Sequence, residues 1–138
     1  MALWIQISPG SNEPIYTQIV AQISRSIANG ELCAGDKLPA VRKLAAELVI
    51  NPNTVARSYT ILEQKGLVST KTGSGTFVTD PKLRNRDLSQ LNILTERMDN
   101  IITQGINIGF SQEDIGNTFN TRLKKFGPTA AGGKNENE

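Results

Sequence analysis

Asn51, Asn53, Thr54 and Arg57 fall within seven consecutive residues. A carboxamide carries donors beside an acceptor, a guanidinium carries five donors in a flat fork, and a hydroxyl does both jobs at one atom. Such groups bind through hydrogen bonds and do not shuttle protons at neutral pH. Asparagine matches the edge of adenine, arginine that of guanine, and threonine a thymine methyl or a phosphate. A second cluster of donors, Lys71, Thr72, Ser74 and Thr76, is interleaved with Gly73 and Gly75, where the backbone itself can come close to a partner. A third is the pair Arg42 and Lys43. The partner these residues suit is an anionic polymer with patterned edges, double-stranded DNA.

What is missing narrows the chemistry further. The chain has no histidine and one cysteine, Cys33. It therefore has no histidine-dependent triad and no internal disulfide, and no histidine ligand for a metal. The acidic residues form no paired or metal-spaced set. No catalytic residue, metal site or cofactor is expected, and Cys33 reads as a small, partly buried residue.

Each cluster alone has an ordinary explanation. Asn51-Pro52-Asn53-Thr54 is a good helix start: asparagine caps the free N–H groups and proline suits the first helical position. Lys71–Thr76 could be a plain hairpin tip. Arg42 and Lys43 could be a solvated basic pair, although basic residues at a helix start oppose the helix dipole, which favours an anion from outside. The order of the three clusters along the chain is what gives them joint meaning.

The surrounding elements supply that order. Trp4–Ser8 reads as a short strand and Pro9–Asn12 as a turn. A helix opens at Asn12 or Glu13, carries Ile15, Ile19, Ile23 and Ile27 on one side, and ends at Asn29-Gly30. Gly35 bends the connection to a second helix, which follows Pro39, runs to about Leu48 and turns Val41, Leu44, Ala45 and Leu48 inward. A third helix starts at Pro52, buries Val55, Tyr59 and Leu62, and ends at Gly66. The β-prone runs Leu67–Thr70 and Thr76–Thr79 then form a hairpin with a five-residue tip. Helix, sharp turn, helix and hairpin make a winged helix-turn-helix, in which the second helix of the pair enters the major groove.

Asp80-Pro81 marks a boundary. A longer helix is expected from about Leu83 to Gln104, with Leu91, Leu94, Met98 and Ile101 as a seam. Ser111, with Asp114 three residues on, opens another helix in the manner of a capping box, and Ile115, Phe119, Leu123 and Phe126 are its apolar face. Residues from Gly127 on are small and polar and read as a disordered tail. The organisation expected is 1–79 for DNA binding, 80–126 for dimerisation and 127–138 for the tail. The fold class is mainly α with a small β-wing.

Size and charge agree. A chain of 138 residues with 38% apolar and 20% charged residues is globular, and no apolar run is long enough to cross a membrane. Met1–Ile5 has neither the basic start nor the apolar core of a secretory signal, so a cytoplasmic protein is expected. The net charge is only +2, yet from Lys37 to Lys71 there are six basic and two acidic residues. A dimer doubles that footprint.

In this order the motifs resemble the GntR family of bacterial transcriptional regulators. The matching stretches are Pro14-Ile15-Tyr16-x-Gln18-Ile19, Gly30-Glu31-Leu32, Gly35–Pro39, Arg42-x-Leu44-Ala45, Asn53-Thr54-Val55, Leu62-Glu63-x-x-Gly66-Leu67-Val68 and Gly73-x-Gly75-Thr76-Phe77-Val78. By this resemblance Arg42 sits at a DNA-contacting arginine, Asn53 and Thr54 at recognition-helix positions, and Gly75 at the wing glycine. Ala40 stands where a serine is frequent. Ala56 stands where many members carry arginine, so Arg57 lies one position, about 100° around the helix, from the family's pattern.

The short C-terminal part resembles the YtrA subfamily, which implies dimerisation through the two last helices and control of a neighbouring transporter operon. The apolar faces Leu91, Leu94, Met98, Ile101 and Ile115, Phe119, Leu123, Phe126 suit a second copy of the chain. The function expected is a sequence-specific repressor that binds a palindromic operator as a homodimer, with no membrane partner and an effector that the sequence does not name. The alternative is a winged-helix adaptor that binds proteins without reading DNA.

Overall fold

In the computed structural model, residues 5–81, 84 and 88–126 are described. Tertiary contacts divide the chain into two units between Arg84 and Asn85.

The first unit is built on three helices. Helix α1 spans Ile15–Ala28, α2 Val41–Leu48 and α3 Pro52–Gln64. Their apolar sides meet in one core: Ile19, Ile23, Ile27, Leu44, Ala45, Val55, Tyr59 and Leu62 are buried together. Ile15, Val41 and Leu48 pack at its margin. Pro14 caps α1 rather than standing inside its first turn, so this helix begins one to two residues later than the sequence pattern indicates. With ψ at 150° Pro14 is extended, and its carbonyl accepts from the Gln18 amide (3.2 Å). Of the pair that closes the helix, Gly30 takes the left-handed conformation, with φ at 87°.

Two polar contacts brace the helices. The Tyr59 hydroxyl donates to the Pro39 carbonyl (2.7 Å), which ties α3 to the chain entering α2. The Ser58 hydroxyl lies within reach of the Tyr16 (3.2 Å) and Thr54 (2.9 Å) carbonyls and is wholly buried between α3 and α1. Burial, and then the negative charge of Glu47, raise the pKa of Tyr59 well above that of a free tyrosine.

The turn between α2 and α3 passes through Val49, the one non-glycine residue with positive φ (56°) among the described residues. A β-branched side chain is uncommon there, because Cβ crowds the following carbonyl. The Ile50 amide, bonding back to the Ala45 carbonyl (3.0 Å), holds the turn closed. Val49 itself is 87% exposed, so its side chain contributes little burial to offset this strain.

The hairpin consists of β1, Val68–Lys71, and β2, Gly75–Val78, antiparallel with Val68 opposite Val78 and Lys71 opposite Gly75. The expected five-residue tip is therefore shorter: Lys71 and Gly75 are paired, and only Thr72, Gly73 and Ser74 turn. Gly73 supplies the positive φ (81°), and the Ser74 amide bonds to the Lys71 carbonyl (2.9 Å). The connection before α2 joins the other edge of β2. Lys37 bridges to Phe77, the Leu38 amide donates to Thr76 and the Val78 amide to Asp36.

Two further expectations fail in this unit. Ile5–Ser8, the described part of the expected first strand, is not a strand. Among the described residues no strand lies beside it; instead the Gln22 side chain bonds both the amide and the carbonyl of Gln6 (2.9 and 2.7 Å), and Gln18 does the same for Ser8 (2.8 and 3.2 Å). Glutamine carboxamides from α1 take the place of a neighbouring backbone. Cys33 is exposed rather than partly buried, with its thiol against the Gly30 carbonyl (3.3 Å). At the end of the unit Arg84 reaches back to the hydroxyl and carbonyl of Thr79 (3.1 and 3.2 Å).

The second unit is a pair of helices, α4 (Leu88–Asn107) and α5 (Gln112–Phe126). Helix α4 runs three residues past its expected end at Gln104, and its expected start at Leu83 lies outside the described residues. It continues through Gly105 and stops where Gly109, with φ at 106°, turns the backbone. Gly105 has a packing reason: a Cβ there would lie 2.9 Å from Cδ1 of Ile115. The capping box of α5 is formed as its residues predict, with the Asp114 amide donating to Ser111 Oγ (3.0 Å) and the Ser111 amide to the Asp114 carboxylate (3.2 Å). The tail from Gly127 lies outside the described residues.

Candidate nucleic-acid interface

Helix α3 is the centre of the site. Its buried side is Val55, Ser58, Tyr59 and Leu62, which leaves Asn53, Arg57 and Thr60 on the opposite, exposed side, with Thr54 at the margin. Asn51 begins the helix: its side-chain oxygen accepts from the Asn53 amide (2.8 Å). That bond uses the Asn51 acceptor for capping, while its NH2 group keeps its donors. The Asn53 side chain makes no bond within the described part of the chain and keeps all its donors and acceptors. Thr60 returns its hydroxyl to the Ala56 carbonyl (3.0 Å).

Arg42 and Lys43 are exposed in the first turn of α2. Ala40 caps that helix with no side-chain bond, and no acidic residue stands in its first turn. The start of α2 thus combines free N–H groups with two cations, an arrangement that favours an anion.

In the hairpin, Lys71, Thr72, Gly73 and Ser74 are exposed, and Gly75 and Thr76 half-buried. Thr76 and Thr70 share a hydroxyl–hydroxyl bond across the strands (3.2 Å). The Lys71 ammonium lies 5.5 Å from the centre of the Phe77 ring. Gly75 has φ at 129°, and a Cβ on it would come within 2.6 Å of Lys37 Cε and 3.4 Å of its Nζ. The Lys37 side chain therefore runs over the glycine and brings a further cation to the hairpin. Lys37 enters the sequence reading only as a charge and as part of the stretch Gly35–Pro39. Its place is set by the bridge to Phe77, and the motif Gly35–Pro39 does not signal that pairing.

Tyr16, which the sequence reading names only within a family motif and gives no role, also belongs to this surface. The Arg57 guanidinium carbon sits 3.8 Å from the centre of the Tyr16 ring on α1. The two residues are far apart in sequence, and only the packing of α1 on α3 joins them.

The second unit has a different surface. Leu91, Leu94, Met98, Ile101, Ile102 and Ile106 lie along one side of α4, and all are exposed in the single chain. Phe119 and Leu123 of α5 are exposed as well, and Ile115 and Phe126 half-buried. Ile108 and Phe110 add exposed apolar area in the connection between the helices. Of the residues expected to form a dimer seam, none is buried within its own chain.

Among the described residues no group of three or more His, Cys, Asp or Glu side chains could hold a metal ion, and no helix is long and apolar enough to cross a membrane.

A helix-turn-helix followed by a β-wing defines the first unit as a winged helix-turn-helix domain. Residues 15–78 match the family model described as bacterial regulatory proteins, gntR family. Across 130 residues the chain is 32% identical to the HTH-type transcriptional repressor YtrA of Bacillus subtilis, covering 94% of this chain and 97% of that protein. The chain belongs to the GntR family, within its YtrA-like branch, and is a DNA-binding transcriptional regulator rather than an enzyme.

Solved structures are similar as well. A transcriptional antiterminator from Listeria monocytogenes EGD-e is similar with a TM-score of 0.73 at 26% identity, covering 98% of both chains. YtrA from Sulfolobus acidocaldarius, a GntR-family transcription factor, is similar with a TM-score of 0.57 at 35% identity, covering 68% of this chain and 95% of that one. The winged domain followed by C-terminal helices is thus the fold expected from the residues.

Proposed function

We propose that this chain is a repressor that binds a palindromic operator as a homodimer, in control of its own or a neighbouring transporter operon. Residues 1–79 carry the DNA-binding surface, and the helices within 80–126 join two copies. Asn53, Thr54 and Arg57 meet base edges and Asn51 the backbone at the start of α3. Arg42 and Lys43 hold a phosphate at α2. Lys71, Thr72, Gly73, Ser74, Gly75 and Thr76 of the wing approach the adjacent groove, joined by Lys37. Such a protein works in the cytoplasm, where its DNA lies.

The observation that carries the reading is the outer side of α3. It holds hydrogen-bonding side chains on a helix whose other side is locked into the core, and a rigid element is what a base-reading site needs. The dimer is supported by the second unit, whose exposed apolar sides match the need of one module for a second to reach useful affinity. Two rigidly joined modules read two half-sites about one helical turn, or a multiple of it, apart. Leu91, Leu94, Met98, Ile101, Ile115, Phe119, Leu123 and Phe126 form the seam in this reading.

The test is selection of duplexes from a random-sequence library, followed by titration of the enriched duplex in a salt series. An inverted repeat is expected, with affinity falling as salt rises. Arg42→Ala and Thr54→Ala should each weaken binding by roughly 1–3 kcal/mol. Enrichment of a single asymmetric half-site, or full affinity in both variants, would refute the reading. Repression itself is tested by transcription from a template bearing the selected site, which the protein should lower.

A further inference from the structure

Arg57 is exposed, and among the described residues it has no carboxylate partner; its guanidinium carbon lies 3.8 Å from the centre of the Tyr16 ring. A guanidinium held over an aromatic ring by cation–π attraction can still offer N–H donors to a further partner. The backbone that carries the ring is tied to α3. Tyr16 is half-buried in the first turns of α1, and its own carbonyl faces the buried Ser58 hydroxyl, the residue next to Arg57. The aromatic platform and the arginine are therefore held by adjacent links between α1 and α3.

We propose that Tyr16 is a positioning residue for DNA binding: its ring holds the Arg57 guanidinium in one orientation before DNA arrives and keeps it there in the complex. An unrestrained arginine loses much of its rotamer freedom on binding, and a side chain already stacked loses less. The stack also offers a reason that Arg57 can serve from its position beside Ala56, since leaning toward α1 redirects the side chain from the simple helical projection. The inference rests on the proposal above that Arg57 meets DNA.

The experiment is a double-mutant cycle in the full chain, read by anisotropy of a labelled duplex enriched by the wild-type protein. Arg57→Ala should weaken binding about fivefold or more per half-site. Tyr16→Leu should weaken it about two- to fivefold per half-site, the range of an exposed cation–π contact. Tyr16→Phe, which keeps the ring, should bind like the wild type. In the Arg57→Ala background, Tyr16→Leu should cost nothing more. Equal losses from Tyr16→Leu in both backgrounds, or a loss in Tyr16→Phe matching that in Tyr16→Leu, would overturn the inference.

If Arg57→Ala retains full affinity, the assignment of Arg57 to the DNA surface fails, and the inference falls with it. A second measurement needs no destabilising variant. The Arg57 side-chain protons should show an upfield ring-current shift in NMR spectra of wild type and Tyr16→Phe, free and DNA-bound. Absence of that shift in the complex would show that the arginine leaves the ring.

Discussion

The winged domain and the helix pair treat apolar residues in opposite ways. In the first, Ile19, Ile23, Leu44, Val55 and Leu62 are at most 1% exposed and meet in one core. In the second, Leu94 is 48% exposed, Ile101 64% and Leu123 58%. The composition of the helices does not explain this, since both regions carry amphipathic sequences. The difference lies in what each apolar side meets. Three helices and a hairpin can enclose a core, whereas two helices leave outward the sides that do not face each other. The winged domain encloses its own apolar residues, and the pair leaves much of its apolar side exposed.

The same kind of substitution should therefore have different consequences in the two regions. Leu44→Ala removes a buried side chain and should cost roughly 2–5 kcal/mol of stability, seen as a lower urea midpoint of the winged domain. Leu94→Ala should leave that midpoint within about 0.5 kcal/mol, since it lies outside the core, and should weaken self-association instead. Similar loss of folding stability from both would erase the distinction.

A smaller effect sharpens the picture within the winged domain. Val49→Gly should stabilise it by about 1 kcal/mol, because glycine relieves the left-handed backbone while little packing is lost. An unchanged or lower thermal midpoint would mean that the exposed side chain has a role in the folded chain. The smallest effect near neutrality comes from Tyr59. Its pKa is raised in the folded state, so its contribution is fully present below the ordinary tyrosine value of about 10 and is lost as pH rises beyond it. Stability of the winged domain should fall at alkaline pH, and Tyr59→Phe should flatten that fall. An unchanged alkaline slope in the variant would assign it to other groups.

Much of this architecture is legible in residue order. The isoleucine repeat of α1, the Asn51 cap with Pro52, and the Ser111–Asp114 box all depend on neighbours within a turn or two, so local pattern suffices. The expected strand before α1 failed because its partners are Gln18 and Gln22 side chains, and alternating apolar residues look alike whatever accepts their hydrogen bonds. The wing tip was overextended because the pairing of Lys71 with Gly75 depends on register, which the β-prone runs leave open by a residue. Arg42, Asn53 and Thr54 could be picked out by type and position. Tyr16 and Lys37 could not, because each earns its place by contact with a residue distant in sequence, Arg57 and Gly75.

The central claim is that the helix pair is completed by a second copy of the chain. Sedimentation equilibrium over a wide concentration range tests it most directly, with Ile101→Asp as the paired sample. Twice the mass of one chain is expected for the wild type, and the mass of one chain for the variant with its winged domain still folded. A wild type that sediments as a single chain at every concentration, while still binding an inverted-repeat duplex tightly, would contradict it.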